Sequence, residues 1–206
     1  MNSVSLKNIK GNMAKRVLML VAAVLFSAAL SAQTYIRDAE YGDANAQYRL
    51  GKMYERADRM PKDINKAIYW YNKAAEQNHP GAIMALAELY YYGVEVKQNV
   101  HLAFKYFNLA AQNNNMEAIY CLGQMYEQGV GTAKDLVKAM EYYKKAADEG
   151  NLAKAQFKVG KMYYFFGEGV KQDIKQTLKY IHAAFDNGYP TAIEFWNENQ
   201  LWKYEQ

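Results

Sequence analysis

The amino-acid sequence predicts an all-α protein, an α-solenoid in which four stacked helix–turn–helix repeats form a right-handed superhelix with a capping helix at each end. Three observations predict this fold. Residues recur at a period of 36, apolar residues follow helical spacing within each period, and turn-forming residues separate the helices. The composition agrees, because 51% hydrophobic and 22% charged residues are close to the averages of globular domains.

The period is visible in a set of residues that returns 72 positions, or two periods, later. The first set is Ala46, Leu50, Gly51, Tyr54, Ala67, Ala74 and Ala75, and the second is Ala118, Leu122, Gly123, Tyr126, Ala139, Ala146 and Ala147. Partial copies lie between and after them. One two-helix unit cannot bury its apolar face alone, so the units are expected to stack.

The repeats divide the chain into seven segments. In order, they are a signal peptide (1–32), an N-terminal cap (33–43), repeat 1 (44–79), repeat 2 (80–115), repeat 3 (116–151), repeat 4 (152–189) and a C-terminal capping helix (190–206). The repeats therefore occupy nearly all of the chain after the signal peptide.

Residues 1–32 have the order of a secretory signal peptide. The basic residues Lys7, Lys10, Lys15 and Arg16 precede the apolar run 17–30, and small residues follow at Ser31 and Ala32. Such a run spans about 21 Å as a helix, short of the ~30 Å hydrocarbon core, so cleavage is favoured over a retained transmembrane helix. Cleavage is predicted after Ser31 or Ala32, which leaves no membrane span and places the protein in the periplasm or outside the cell.

The net positive charge of the chain comes from the same segment. The whole chain has 25 Lys and Arg against 21 Asp and Glu, and residues 1–32 hold four of the basic residues and no acidic one. Residues 33–206 therefore carry 21 of each sign. A balanced charge of this kind argues against nucleic acid as a partner.

Each repeat is predicted to contain a helix A, a loop and a helix B. Four residues that favour helix N-caps stand directly before helix B: Asp63, Asn99, Asp135 and Asp173. Helix B is predicted to end at residues that tolerate left-handed backbone, which are Asn78, Asn114, Gly150 and Gly188. Glycines in the loops between the helices, Gly129, Gly131, Gly167 and Gly169, suit positive φ. After the repeats, residues 191–204 are predicted to form a last helix A, with Trp196 and Trp202 covering the open face.

The chemistry-bearing residues do not form a pattern typical of an enzyme. No serine follows Ser31, and the three histidines, His79, His101 and His182, lie in different repeats. Cys121, the single cysteine, is expected to be a half-buried thiol without a disulfide. Carboxylate pairs such as Glu40 and Asp43 lie beside turns, where a solvated surface is the default interpretation. We therefore predict no catalytic residue, metal site or cofactor.

Two stretches of the first repeat carry a specific family resemblance. Residues 46–54 and 66–77 resemble the Sel-like repeat (SLR), a relative of the tetratricopeptide repeat, as do Gly51, Gly123 and Gly160 in helix A. Repeats 1 and 2 depart from this pattern because their loops lack the glycine pair. Reported penicillin binding and β-lactam hydrolysis belong to a cysteine-rich branch of the family, and this chain lacks those cysteines.

The resemblance implies that partners bind in a concave groove lined by helix A. By analogy with the tetratricopeptide repeat, the candidate groove residues are Tyr48, Lys52, Glu55, Met84, Glu88, Tyr91, Tyr120, Gln124, Glu127, Phe157, Lys161 and Tyr164. These residues form three rows, one for each candidate position in helix A. The first row, which consists of Tyr48, Met84, Tyr120 and Phe157, is apolar in every repeat. Two interpretations stay open for this row: it is part of the core, or it is an apolar groove for an extended peptide or a partner helix.

The sequence thus predicts a non-catalytic protein-interaction scaffold, exported to the periplasm or cell envelope of a bacterium. We expect a monomer with a protein or peptide partner. The alternatives are a protein that binds cell-wall fragments, an envelope hydrolase with a nonstandard site, and a secreted factor that acts on a host cell.

Overall fold

The computed structural model describes residues 13, 15–22, 33–165 and 171–205. Most of the predicted signal peptide lies outside these residues, and so do Gly167 and Gly169. The described residues contain helices and no strand, as the sequence predicts. None of the helices among them is long and apolar enough to cross a membrane.

The helices form two compact units, one that ends at His79 and one that begins at Pro80. In the first unit a helical segment at residues 33–40 precedes the helices α1 (Ala44–Arg56) and α2 (Ile64–Glu76). The helices of the second unit are α3 (Pro80–Tyr92), α4 (Val100–Gln112), α5 (Met116–Gln128), α6 (Leu136–Asp148), α7 (Ala153–Phe165), α8 (Ile174–Asp186) and α9 (Thr191–Glu198), followed by a 3-10 turn (Leu201–Tyr204). Odd-numbered helices α1 to α7 are the predicted helices A, and the even-numbered helices are their partners B.

The predicted N-caps of helix B are confirmed in all four repeats. The side chain of each cap accepts a hydrogen bond from the backbone N–H three residues later, at 2.9–3.0 Å, and the four caps are Asp63, Asn99, Asp135 and Asp173. Each bond satisfies one of the backbone donors that a helix leaves unpaired in its first turn.

Removing one of these caps is expected to destabilise the protein measurably. Asp135→Ala should lower the free energy of unfolding by about 1 kcal/mol, because Lys138 N–H loses its acceptor. Urea unfolding measures the change. The control is Glu141→Ala, an exposed position of the same helix, for which we expect a change within about 0.5 kcal/mol. Equal losses in the two variants would contradict the capping role.

Helices A and B of a repeat approach closely where helix A carries glycine. A methyl group on Gly123 would lie 2.7 Å from the ring of Tyr143, and one on Gly51 would lie 2.6 Å from the ring of Tyr71. Both rings are fully buried. The glycines therefore leave the space that a large aromatic ring of helix B fills.

The prediction for one turn residue, Gly150, is wrong. Asn78, Asn114 and Gly188 adopt positive φ as predicted, but Gly150 does not, and its neighbour Asn151 takes the left-handed conformation with φ 49°. A methyl group on Gly150 would lie 2.6 Å from Met116 Cγ. Gly150 is thus a residue of close contact with helix α5, and the turn itself begins one residue later.

The C-terminal end also differs from the sequence prediction. The last helix stops at Glu198, and Gln200 adopts φ 51° before the 3-10 turn. This break changes the phase of the side chains that follow, so Trp202 is 47% exposed, while Leu201 is fully buried. Phe195 and Leu201, with Ala192, join the core at this end in place of the predicted tryptophan Trp202.

Candidate partner-binding surface

The first row of candidate residues is largely core in the second unit. Tyr120 and Phe157 are 8% and 7% exposed, and Met84 is partly buried. The ring of Tyr120 lies 5.4 Å from that of Tyr143, and burial raises the pKa of its hydroxyl well above the ordinary value. In repeats 3 and 4 this row therefore offers little of its apolar surface to a partner.

The second row, Glu88, Gln124 and Lys161, keeps more contact with solvent. Glu88 is exposed, and Gln124 and Lys161 are partly buried. The ammonium of Lys161 lies 5.5–5.8 Å from the centroids of three phenylalanine rings, those of Phe157, Phe165 and Phe195, so cation–π attraction holds it at the end of the row. The row changes from negative to neutral to positive from repeat 2 to repeat 4.

The third row, Tyr91, Glu127 and Tyr164, is tied to the helices behind it. Tyr91 makes an edge contact with Phe107, with ring centroids 5.8 Å apart. Glu127 accepts a hydrogen bond of 2.6 Å from the Tyr143 hydroxyl and one of 2.8 Å from Lys158 Nζ. These contacts join helix A to helix B in one repeat and to helix A of the next. This row therefore stabilises the helices that carry the candidate surface.

The candidate residues of the first unit repeat this arrangement. Tyr48 stacks on His79 with a centroid distance of 4.6 Å, and Lys52 Nζ lies 5.5 Å from the Tyr48 ring. Glu55 accepts a 2.5 Å hydrogen bond from the hydroxyl of buried Tyr71. The Glu–Tyr pair of repeat 3 therefore has a counterpart in repeat 1.

Sequence reasoning missed a basic cavity in the first unit. Arg49, Lys52 and Arg56 line it together with Tyr35 from the preceding helical segment. The spacing of three and four residues within one predicted helix is the signal that could have indicated it. Only Lys52 is among the sequence-predicted groove residues.

The three histidines make packing or hydrogen-bond contacts at or near the surface. His79 stacks on Tyr48, His101 Nδ1 lies 3.2 Å from the carbonyl oxygen of Gly131, and His182 packs on Trp196. Within the part of the chain that the structure describes, no group of three His, Cys, Asp or Glu could hold a metal ion.

Cys121 is a partly buried free thiol, which confirms the sequence prediction. Burial raises its pKa from 9.0 to about 11. At pH 8 we expect iodoacetamide to react about 100-fold more slowly than with an exposed thiol, because a shift of two pKa units reduces the thiolate fraction by that factor. Mass spectrometry of the alkylated protein measures the rate. The control is the same protein in urea, and similar rates in the folded and unfolded states would contradict the effect of burial.

These observations define the class of protein, which is a stack of two-helix repeats with aromatic packing between helices and polar side chains along one row of helix A. The Sel1 repeat model matches residues 44–79, 80–115, 117–151 and 153–189. The chain belongs to the Sel1 repeat family, as the sequence resemblance indicates. Sel1 repeats generally mediate protein interactions, and proteins of the family are generally non-catalytic scaffolds.

Comparison with known proteins supports the same assignment. The chain is 33% identical to a Sel1 repeat protein from Oxalobacter formigenes, with a TM-score of 0.69 over 79% of this chain and 64% of that one. It shares the fold of c5321, a protective antigen of uropathogenic Escherichia coli strains, with 23% identity and a TM-score of 0.54 over 80% of this chain and 43% of that one. A putative sel1-like repeat-containing protein, L18 of Acanthamoeba polyphaga mimivirus, is 51% identical over 41 residues, which are 20% of this chain and 7% of that protein. The chain therefore spans less than two thirds of the length of each of these relatives.

Proposed function

We propose that the protein is a non-catalytic scaffold, exported to the periplasm or cell envelope, that binds a protein or peptide partner on helix A of repeats 2–4. The binding surface consists of the second row, Glu88, Gln124 and Lys161. The rows on either side hold most of the buried contacts between the helices, so the second row is the part of this face that is more open to a partner.

The observation that carries this proposal is the order of charge along the row. An exposed carboxylate at Glu88 precedes an amide at Gln124 and an ammonium at Lys161, at equivalent positions of successive repeats. A peptide that lies along the row would meet opposite charges at its two ends. Because like charges at either end repel, such a surface favours one direction of the peptide over the other.

Rigidity of the supporting helices favours the same function. Glu127 joins Tyr143 and Lys158, and an ion pair joins Lys154 to Glu117 across the same two repeats. A surface whose backbone is already fixed loses little conformational entropy when a partner binds.

Residues 1–32 support the export part of the proposal. Their basic start, apolar run and small residues at the end are typical of a cleaved signal. Fractionation of the native host, followed by N-terminal sequencing, tests it. We expect the protein outside the cytoplasm, with a new N-terminus at residue 32 or 33, and an uncleaved protein in the cytoplasm would contradict export.

Charge reversal along the row tests the partner-binding surface. Tagged protein is crosslinked in its native envelope and purified beside Glu88→Lys/Lys161→Glu, a variant that keeps the net charge. The control is Glu141→Lys/Lys175→Glu, which exchanges two exposed residues of helices B. We expect a partner that the unchanged protein and the control retain and that the row variant loses, with equal circular dichroism for all three.

Two results would contradict this function. A partner held equally by all three forms would place binding elsewhere, and the absence of any protein partner would remove the scaffold proposal. In the second case, a rise of the melting temperature with muropeptides would support the alternative of a protein that binds cell-wall fragments.

A further inference from the structure

A cavity of about 360 Å³ opens beside α1 in the first unit. Its lining residues come from the helical segment 33–40, from α1 and from the turn that follows α1. They are Tyr35, Arg49, Lys52, Met53, Arg56, Asp58 and Arg59, and we call this cavity the basic pocket.

Three cations of the basic pocket lie along one face of a single helix. Arg49, Lys52 and Arg56 are three and four residues apart, a spacing that places side chains on one face over about 10 Å of helix. No carboxylate among the described residues lies within 4 Å of the charged nitrogens of these three side chains. The acidic residue of the pocket, Asp58, forms its ion pair with Arg59 at 3.7 Å. The lining residues of the pocket therefore carry four basic groups against one carboxylate, which is a net positive charge.

Arg49 is also held in place without an anion. Its guanidinium lies 5.5 Å from the centroid of the Tyr35 ring, and its Nη1 donates a 3.2 Å hydrogen bond to the Tyr35 hydroxyl. An aromatic face and a hydroxyl acceptor orient the guanidinium while leaving its other N–H groups available. Less side-chain entropy is then lost when an anion binds.

We infer that the basic pocket binds an acidic segment of a protein, with two or three carboxylates within about 10 Å of one another. An extended peptide places side chains on one side about 6.7 Å apart, so two carboxylates at alternate positions fit within the ~10 Å spread of the three cations. This inference rests on the proposed scaffold function in one respect, namely that the ligand belongs to a protein partner, and it concerns a different unit from the row of repeats 2–4.

The surroundings of the pocket favour a short acidic segment over a long polyanion. A second cavity, of about 620 Å³, shares Tyr35 and Arg49 with the basic pocket and is lined on its other side by Asp38 and Asp43. A nucleic acid strand that continued past Arg49 would meet these carboxylates. Residues 33–206 also carry equal numbers of basic and acidic residues, so they lack the extended positive field that nucleic acid binding needs.

Isothermal titration calorimetry with the purified protein at low salt tests this site. The probe is a blocked eight-residue peptide of alternating glutamate and alanine, and its glutamine analogue is the uncharged control. We expect the glutamate peptide to bind, the glutamine analogue to bind at least about tenfold more weakly, and added salt to weaken the binding.

The matched variants each remove three positive charges. R49Q/K52Q/R56Q changes the basic pocket, and K97Q/K171Q/K175Q changes three exposed lysines of the second unit. We expect the pocket variant to bind the glutamate peptide about tenfold more weakly and the control variant to stay within about twofold. If circular dichroism shows that the triple variant has lost helix, R56Q alone replaces it, with an expected loss of about threefold.

Three outcomes would overturn the inference. They are equal binding of the two peptides, unchanged binding by the pocket variant, and pocket-dependent binding of an eight-nucleotide single strand or of anionic vesicles that is tighter than binding of the peptide. None of them touches the scaffold proposal, since Glu88→Lys/Lys161→Glu leaves the pocket intact and is read out by the native partner. Conversely, the peptide-binding result for the basic pocket stands whether or not Glu88→Lys/Lys161→Glu loses the native partner.

Discussion

Tyr143→Ala is expected to lower the free energy of unfolding by about 3–5 kcal/mol, the range for removing a large buried aromatic side chain. The Tyr143 ring is fully buried and fills the space that Gly123 leaves between helices A and B. Its hydroxyl donates to Glu127, which also binds Lys158. The truncation would therefore open a cavity and remove a donor from a partly buried carboxylate at the junction of repeats 3 and 4.

Urea unfolding of two further variants separates these causes. Tyr143→Phe keeps the ring and removes only the hydroxyl, so we expect a loss of about 1–2 kcal/mol. Tyr41→Ala is the control, because Tyr41 is 85% exposed and should change stability by less than about 0.5 kcal/mol. Similar losses in Tyr41→Ala and Tyr143→Ala would contradict the structural role of the buried ring.

The same hydroxyl makes the free energy of unfolding depend on pH in the alkaline range. Burial, with the hydrogen bond to Glu127, raises the pKa of Tyr143 far above its ordinary value of about 10. The folded state then keeps a proton that the unfolded state loses, so stability is full below about pH 10 and falls as the pH rises further. Tyr71 is shifted in the same direction. We expect a shallower loss above about pH 10 in Tyr143→Phe than in the unchanged protein, and parallel curves would contradict this contribution.

Gly131→Ala is the second substitution with a large expected effect, a loss of about 2–4 kcal/mol in the free energy of unfolding. Gly131 adopts φ 71°, where any L side chain is strained. A methyl group there would also lie 2.5 Å from the carbonyl oxygen of Val100, in the first turn of α4. A backbone atom cannot rotate away as a side chain can, so either the loop or the start of α4 must move.

Gly188→Ala is the matched control for this substitution. Gly188 adopts φ 79°, and a methyl group there would meet nothing within 4 Å. We expect a loss of about 1–2 kcal/mol from the backbone strain alone. Thermal unfolding of both variants gives the comparison, and a loss at Gly188 as large as that at Gly131 would show that the contact with Val100 adds nothing.

Local sequence signals predicted the helices and caps because those features depend on few neighbouring residues. An aspartate or asparagine that precedes an apolar periodic run can cap a helix wherever the repeat lies, and Asp63 and Asn99 both do so. The exchange of Gly150 for Asn151 as the left-handed residue could not be predicted from residue type. It depends on the contact between Gly150 and Met116, residues that are far apart in sequence.

The binding surface was less predictable for a related reason. Equivalence between repeats identifies which residues share a row, but burial depends on how far one repeat turns relative to the next. Met84 and Tyr120 hold equivalent positions, and only Tyr120 is buried. The basic pocket needed one further fact, the approach of Tyr35 to Arg49, which no spacing within α1 reveals.

The pairing of each helix with its neighbours along the chain bears on how the protein folds. In the second unit, α5 packs on α4 and α6, and α7 packs on α6 and α8. Contacts of this kind close short loops, so the contact order is low and little chain entropy is lost before the first pairs form. A chain built in this way can begin to fold as soon as one repeat and its neighbour have left the ribosome, without waiting for its C-terminus.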